Sequence, residues 1–136
     1  SSIIEVPGTS DIFNSGFVTY SNIAKIKHLG VDKDIVKKFG AVSNETSLAM
    51  AKGLYKISKS NLIVSITGVA GPGGGTLKNP VGTVYFTFGV RQNKKTITYT
   101  TYRYNFKSKN RVGIQKKSVN YVLDKFIEIA KTYKLD

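Results

Sequence analysis

The chain has no cysteine, a single histidine, only eight acidic residues and no apolar run approaching the length of a membrane span. Without cysteine there is no disulfide framework and no thiolate metal site. His28 has no second histidine as partner, so a metal role is improbable and the usual serine–histidine pairing has little to draw on. The eight acids are scattered, and no two have evident acid/base spacing. No apolar segment reads as membrane-spanning and no signal-peptide pattern opens the sequence, so a cytoplasmic protein is expected, with no membrane partner. Internal repeats, linkers and low-complexity tails are also missing. The 136 residues fit one domain, 1–136, with a real hydrophobic core.

Basic residues are plentiful. Lysine and arginine number 21, for a formal net charge of +13. That charge invites a nucleic-acid reading, but only Arg91, Arg103 and Arg111 are arginine, the side chain favoured for bidentate phosphate and base contacts. The lysines are dispersed, with nothing denser than pairs such as Lys37–Lys38, Lys94–Lys95 and Lys116–Lys117. A solvated, lysine-biased surface is therefore favoured over a specific nucleic-acid interface, and its field would attract an anionic small substrate.

Gly16 to Tyr20 (GFVTY) is short, β-branched and aromatic, which predicts a strand. Ser21 or Asn22 caps a following helix that carries Lys25. Asp32 caps a short helix stopped by Gly40, and Ser43 caps a longer one whose buried stripe is Leu48, Ala51, Leu54, Tyr55 and Ile57. Asn61 to Thr67 reads as a buried, central strand. A glycine-rich loop, Gly68 to Pro80, leads into Val81–Val90 and Thr96–Phe106, two strands expected to form an antiparallel hairpin. Ser118 to Tyr133 closes the chain as a helix with Val119, Val122, Leu123, Phe126, Ile129, Ala130 and Tyr133 at helical spacing. The order predicts a layered α/β domain with a mixed sheet. The opening SSIIEV reads as the middle of an element.

Three residues in the first 25 bear on chemistry: Ser10, Tyr20 and Lys25. Singly each has a plain explanation, as a loop-capping serine, a strand-end aromatic and a solvated helix lysine. Together they suggest more. A lysine in the first turn of a helix, on a strongly positive protein, has its ammonium form disfavoured, and burial lowers its pKa further. A neutral amine can take the proton of a serine hydroxyl, and a phenol can relay it or steady the amine. The loop GVAGPGGGT lacks the GK[ST] ending of a P-loop and any GxGxxG spacing. It is either a flexible crossover or a place where backbone approaches a ligand, with N–H groups for an oxyanion or phosphate.

These segments together resemble the CinA C-terminal domain family. The resemblance runs through PGTS, GFVTYSNIAK, LGV, GAVS at Gly40 to Ser43, TGVAGPGGGT and NPVGTVYF to Phe106, Arg111 and the last helix. It implies a three-layer α/β/α fold with a mixed, nominally five-stranded sheet. It also implies deamidation of nicotinamide mononucleotide to nicotinate mononucleotide and ammonia, with no metal and no cofactor. By resemblance, Ser10 is the nucleophile, Tyr20 the catalytic tyrosine and Lys25 the general base. The substrate-binding residues are Thr67, the loop glycines Gly71, Gly73 and Gly74, and Arg111, suited to an anionic group. Family members usually begin with a helix, a strand and an ESCTGG motif. The sequence shows none of these, so the first helix and strand are expected upstream of Ser1, and apolar surface left open would favour a homo-oligomer, a dimer. The GDR…R pattern of the family is here Lys109-Asn110-Arg111 with Gln115 further on. The alternative to an active amidase is a catalytically impaired, nucleotide-binding member of the same lineage.

Overall fold

The computed structural model describes residues 2–93 and 96–133. Short helices occupy the first half. Ser21 accepts a hydrogen bond from the Ala24 amide and starts α1, Asn22–Leu29, which ends at Gly30 with φ +62°. Asp32 caps α2, Lys33–Phe39, and Ser43 caps α3, Asn44–Ser58. These caps satisfy amides that the first helical turn leaves without partners. The strands are β1, Leu62–Gly68, β2, Thr83–Arg91, and β3, Ile97–Asn105, followed by α4, Arg111–Thr132.

Among the described residues the sheet has three strands in the order β1-β2-β3, all antiparallel, where a mixed, nominally five-stranded sheet was expected. Ser65 lies opposite Thr87, and Thr87 opposite Thr101. The expected hairpin is β2–β3; Lys94 and Lys95 of its turn lie outside the described residues, as does Ser1 of the opening segment. β2 is buried from Thr83 to Val90 because both its edges and both its faces are covered. On one face Val84, Phe86 and Phe88 pack against Ile114 and Val122 of α4, with Tyr121 and Phe126 beside them. On the other, Ser47 of α3 bonds the hydroxyls of Ser65 and Thr87 at 3.1 and 2.8 Å. Helix, sheet and helix form the α/β layers expected. No helix among the described residues is long and apolar enough to cross a membrane.

Four local expectations are corrected. Gly16 to Tyr20 is not a strand: it pairs with no other segment among the described residues, and Val18 is 92% exposed. A strand exists through its ladder, which β-propensity does not supply. β1 is at the edge of the described sheet, not central, and its Ile66 is 42% exposed. The buried face of α3 is Thr46, Ser47, Met50, Ala51 and Gly53, while Ile57 is exposed. Small residues are needed there because a Cβ on Gly53 would stand 1.8 Å from the Leu29 carbonyl oxygen of α1. Finally, α4 begins at Arg111 instead of Ser118, capped by Asn110, and Val119 faces out.

Candidate functional site

Lys25 is the most unusual side chain in the fold. It is buried, and its Nζ donates to the Thr19 carbonyl oxygen at 2.8 Å. It has no carboxylate partner among the described residues. Burial holds its pKa below the ordinary lysine value, the direction expected. The cause is loss of solvent on burial. Local sequence explains the placement: the Ser21 cap starts the helix, and the Lys25 amide donates to the Ser21 carbonyl at 3.2 Å.

Tyr20 adjoins Thr19, and its phenol is mostly exposed. Arg111 reaches it from the far end of the chain: Nη2 donates to the Tyr20 hydroxyl at 3.3 Å, and Nη1 donates to the Gly71 carbonyl at 3.1 Å. One guanidinium thus links the lysine-bearing segment to the glycine loop. Its position follows from the start of α4. Asn110 accepts from the Gly113 amide at 2.8 Å, and the missing side chain at 113 leaves room for Ser108 Oγ, which would lie 1.9 Å from a Cβ there. The guanidinium and the positive end of a long helix together suit an anionic ligand group.

Thr67, at the end of β1, is buried and donates its hydroxyl proton to the Ala41 carbonyl at 2.7 Å. What it can offer a ligand is therefore an acceptor oxygen. Gly71 is held by Arg111, whereas Gly73 and Gly74 are exposed, with open space where a Gly73 side chain would be. At the other end of the loop, Asn79 Nδ2 donates to the Val42 carbonyl at 2.7 Å, and the Tyr85 hydroxyl donates to Asn79 Oδ1 at 3.3 Å. Arg103 Nη2 donates to the Lys78 carbonyl at 2.9 Å. Neither Asn79 nor Arg103 was among the expected site residues; the NPVG run after the glycines was the available signal for the first.

Ser10 stands apart. It is exposed in a 3-10 turn, Thr9–Asp11, over a shallow hollow walled by Ile4, Val6, Pro7 and Phe13. The buried hydroxyl in this turn belongs to Thr9, which donates to the Ile3 carbonyl at 3.0 Å. No hydrogen bond joins Ser10 to Tyr20 or Lys25 among the described residues. The structure therefore brings together Tyr20, Arg111 and Gly71, with Lys25 bonded to the residue before Tyr20. It leaves Ser10 outside that set. No group of three or more histidine, aspartate or glutamate side chains that could hold a metal gathers among the described residues.

The CinA C-terminal domain profile matches residues 1–130. A CinA-like protein of Endomicrobium trichonymphae is 48% identical over 122 residues, 90% of this chain and 27% of that protein. A CinA-like protein of Kosmotoga olearia is 50% identical over 96 residues, 71% of this chain and 23% of that protein. The chain thus spans about a quarter of the length of the curated relatives it matches. Among solved structures, the competence/damage inducible protein CihA from Agrobacterium tumefaciens superposes with a TM-score of 0.85 at 35% identity. That match covers 93% of this chain and 74% of CihA.

Proposed function

Because the chain belongs to the CinA C-terminal domain family, we propose that it is an amidohydrolase that converts nicotinamide mononucleotide to nicotinate mononucleotide and ammonia. The observation that carries this reading is Lys25: a buried lysine with a lowered pKa, hydrogen-bonded next to Tyr20, is a base able to work without histidine. Its free amine takes the hydroxyl proton of Ser10. The Ser10 oxygen then attacks the carboxamide carbon and forms a tetrahedral oxyanion, and loop N–H groups around Gly71, Gly73 and Gly74 stabilise it. The lysine returns the proton to the departing nitrogen, which leaves as ammonia. Water, deprotonated by the same amine, cleaves the ester and restores Ser10. Arg111 binds the substrate phosphate, and the Thr67 oxygen accepts from a substrate N–H or O–H. In this mechanism the Thr9–Asp11 turn moves to meet the amine, which the exposed chain between the turn and Thr19 can accommodate.

That Ser10 makes no hydrogen bond to Lys25 or Tyr20 among the described residues favours a second reading, a nucleotide-binding member without turnover. Ammonia release decides between them. Under the first reading nicotinamide mononucleotide is consumed with stoichiometric ammonia, and Ser10→Ala costs about a thousandfold in turnover. Saturable binding without ammonia supports the second. A Ser10→Ala protein with near-normal turnover would return Ser10 to a plain loop role.

A further inference from the structure

The two ends of the glycine loop are anchored to neighbouring carbonyls. Thr67, the residue before the loop, bonds Ala41, while Asn79, near its end, bonds Val42. The Gly40–Ser43 segment that offers both carbonyls is itself fixed. Ser43 Oγ donates to the Gly40 carbonyl at 3.0 Å, Thr46 Oγ1 donates to the same carbonyl at 2.6 Å, and the Thr46 amide donates back to Ser43 Oγ at 3.1 Å. Ser43 and Thr46 are fully buried. The cap of α3 thus doubles as a rigid platform for the base of the loop.

We infer that Asn79 is a positioning residue for ligand binding, fixing the base of the glycine loop on the platform that Thr67 also grips. Five glycines between Gly68 and Gly75 leave the loop with much conformational freedom to lose when a ligand orders it. Asn79 removes part of that freedom beforehand. Its amide nitrogen bonds Val42, its amide oxygen accepts from Tyr85, and its backbone closes a turn with Thr76, whose amide donates to the Asn79 carbonyl at 2.9 Å. Arg103 holds the preceding carbonyl, Lys78. The rear limb of the loop is therefore tied down, and the front limb, Pro72 to Gly75, is left exposed to meet the ligand. A residue that preorganises in this way acts on affinity and leaves the proton-transfer groups untouched.

The inference rests on the amidohydrolase reading only for the identity of the ligand. Asn79→Asp keeps the oxygen that Tyr85 bonds but replaces the donor that faces Val42 with an acceptor. Turnover of nicotinamide mononucleotide should show KM raised about tenfold and kcat lowered about fivefold, because the same loop would carry the oxyanion amides, with the acid-side pKa of the rate unchanged, and Tyr85→Phe should raise KM only about twofold. Amide spectra of the 15N-labelled protein provide the second measurement. In Asn79→Asp the Gly71, Gly73, Gly74 and Gly75 amides should shift, while those of β3 stay in place. Unchanged KM in an active wild type would overturn the inference, as would unchanged glycine amides whatever the activity. If the wild type neither binds nor turns over the nucleotide, the functional reading fails, and the glycine amides still decide the role of Asn79.

Discussion

Replacing Lys25 with Met is the sharpest perturbation the fold offers, because stability and chemistry then respond in ways that can be separated. The lysine is 7% exposed and bonded to one carbonyl. Methionine fills similar volume, removes the charge and leaves the Thr19 oxygen without its donor, at a cost of about 1–3 kcal/mol. Relief from burying an ammonium offsets part of that cost at neutral pH. The pH dependence gives the sign. Burial places the folded pKa below 10.5, so between the folded value and 10.5 the unfolded chain holds a proton that the folded chain has lost. Wild-type stability relative to Lys25→Met should therefore rise with pH across that window, by at most about 1.4 kcal/mol per pH unit for one proton, and level off above it. Below the folded value both states are charged and the difference is flat. Urea unfolding of both proteins at a series of pH values between 7 and 11 measures this. In the ammonia assay the same substitution should lower kcat/KM by about a hundredfold to ten-thousandfold, since a thioether accepts no proton. The wild-type rate should fall on the acid side at a pKa below that of free lysine. Parallel stability profiles would refute the buried-lysine account, and near-normal turnover by Lys25→Met would refute its role as base.

Gly53→Ala should destabilise the fold by about 2–4 kcal/mol, because the new Cβ meets the Leu29 backbone oxygen and separates α1 from α3; a denaturation midpoint within error of wild type would contradict that close approach. DNA binding should be weak, sequence-blind and lost by physiological salt, since only three of the 21 basic residues are arginine and the lysines are dispersed; nanomolar affinity in such salt would show the charge misread.

What could be read from the sequence is what is local. Ser21, Asp32 and Ser43 cap the helices assigned to them because a cap needs only a side-chain oxygen and the next three residues. The β2–β3 hairpin follows from two runs of β-formers around a polar turn. Long-range pairing was illegible. Gly16 to Tyr20 has the composition of a strand, but whether a ladder forms depends on what lies beside it. The buried face of α3 misled for another reason. Hydrophobic periodicity pointed to Leu48, Leu54 and Ile57, whereas the helix sits on the sheet through Ser47, with Thr87 bonding onward to Thr101 at 2.8 Å. A hydroxyl contact between polar residues leaves no apolar signal in the sequence.

The candidate site divides along the same line. A lowered lysine pKa was foreseeable from the segment, but burial, which causes it, is a property of the whole fold. The contact between Arg111 and Tyr20 joins residues 91 positions apart, and no spacing rule reaches that far. It also sets a physical condition on the function. A guanidinium shared between a phenol and the Gly71 carbonyl has donors left over for an anion. In the proposed mechanism, a phosphate drawn to it would bear on the loop assigned the oxyanion amides and on the residue next to the carbonyl that holds Lys25. That mechanism therefore couples substrate binding to base placement through Arg111. An Arg111→Lys protein, which keeps the charge but loses the fork, should on this argument suffer in kcat as well as KM.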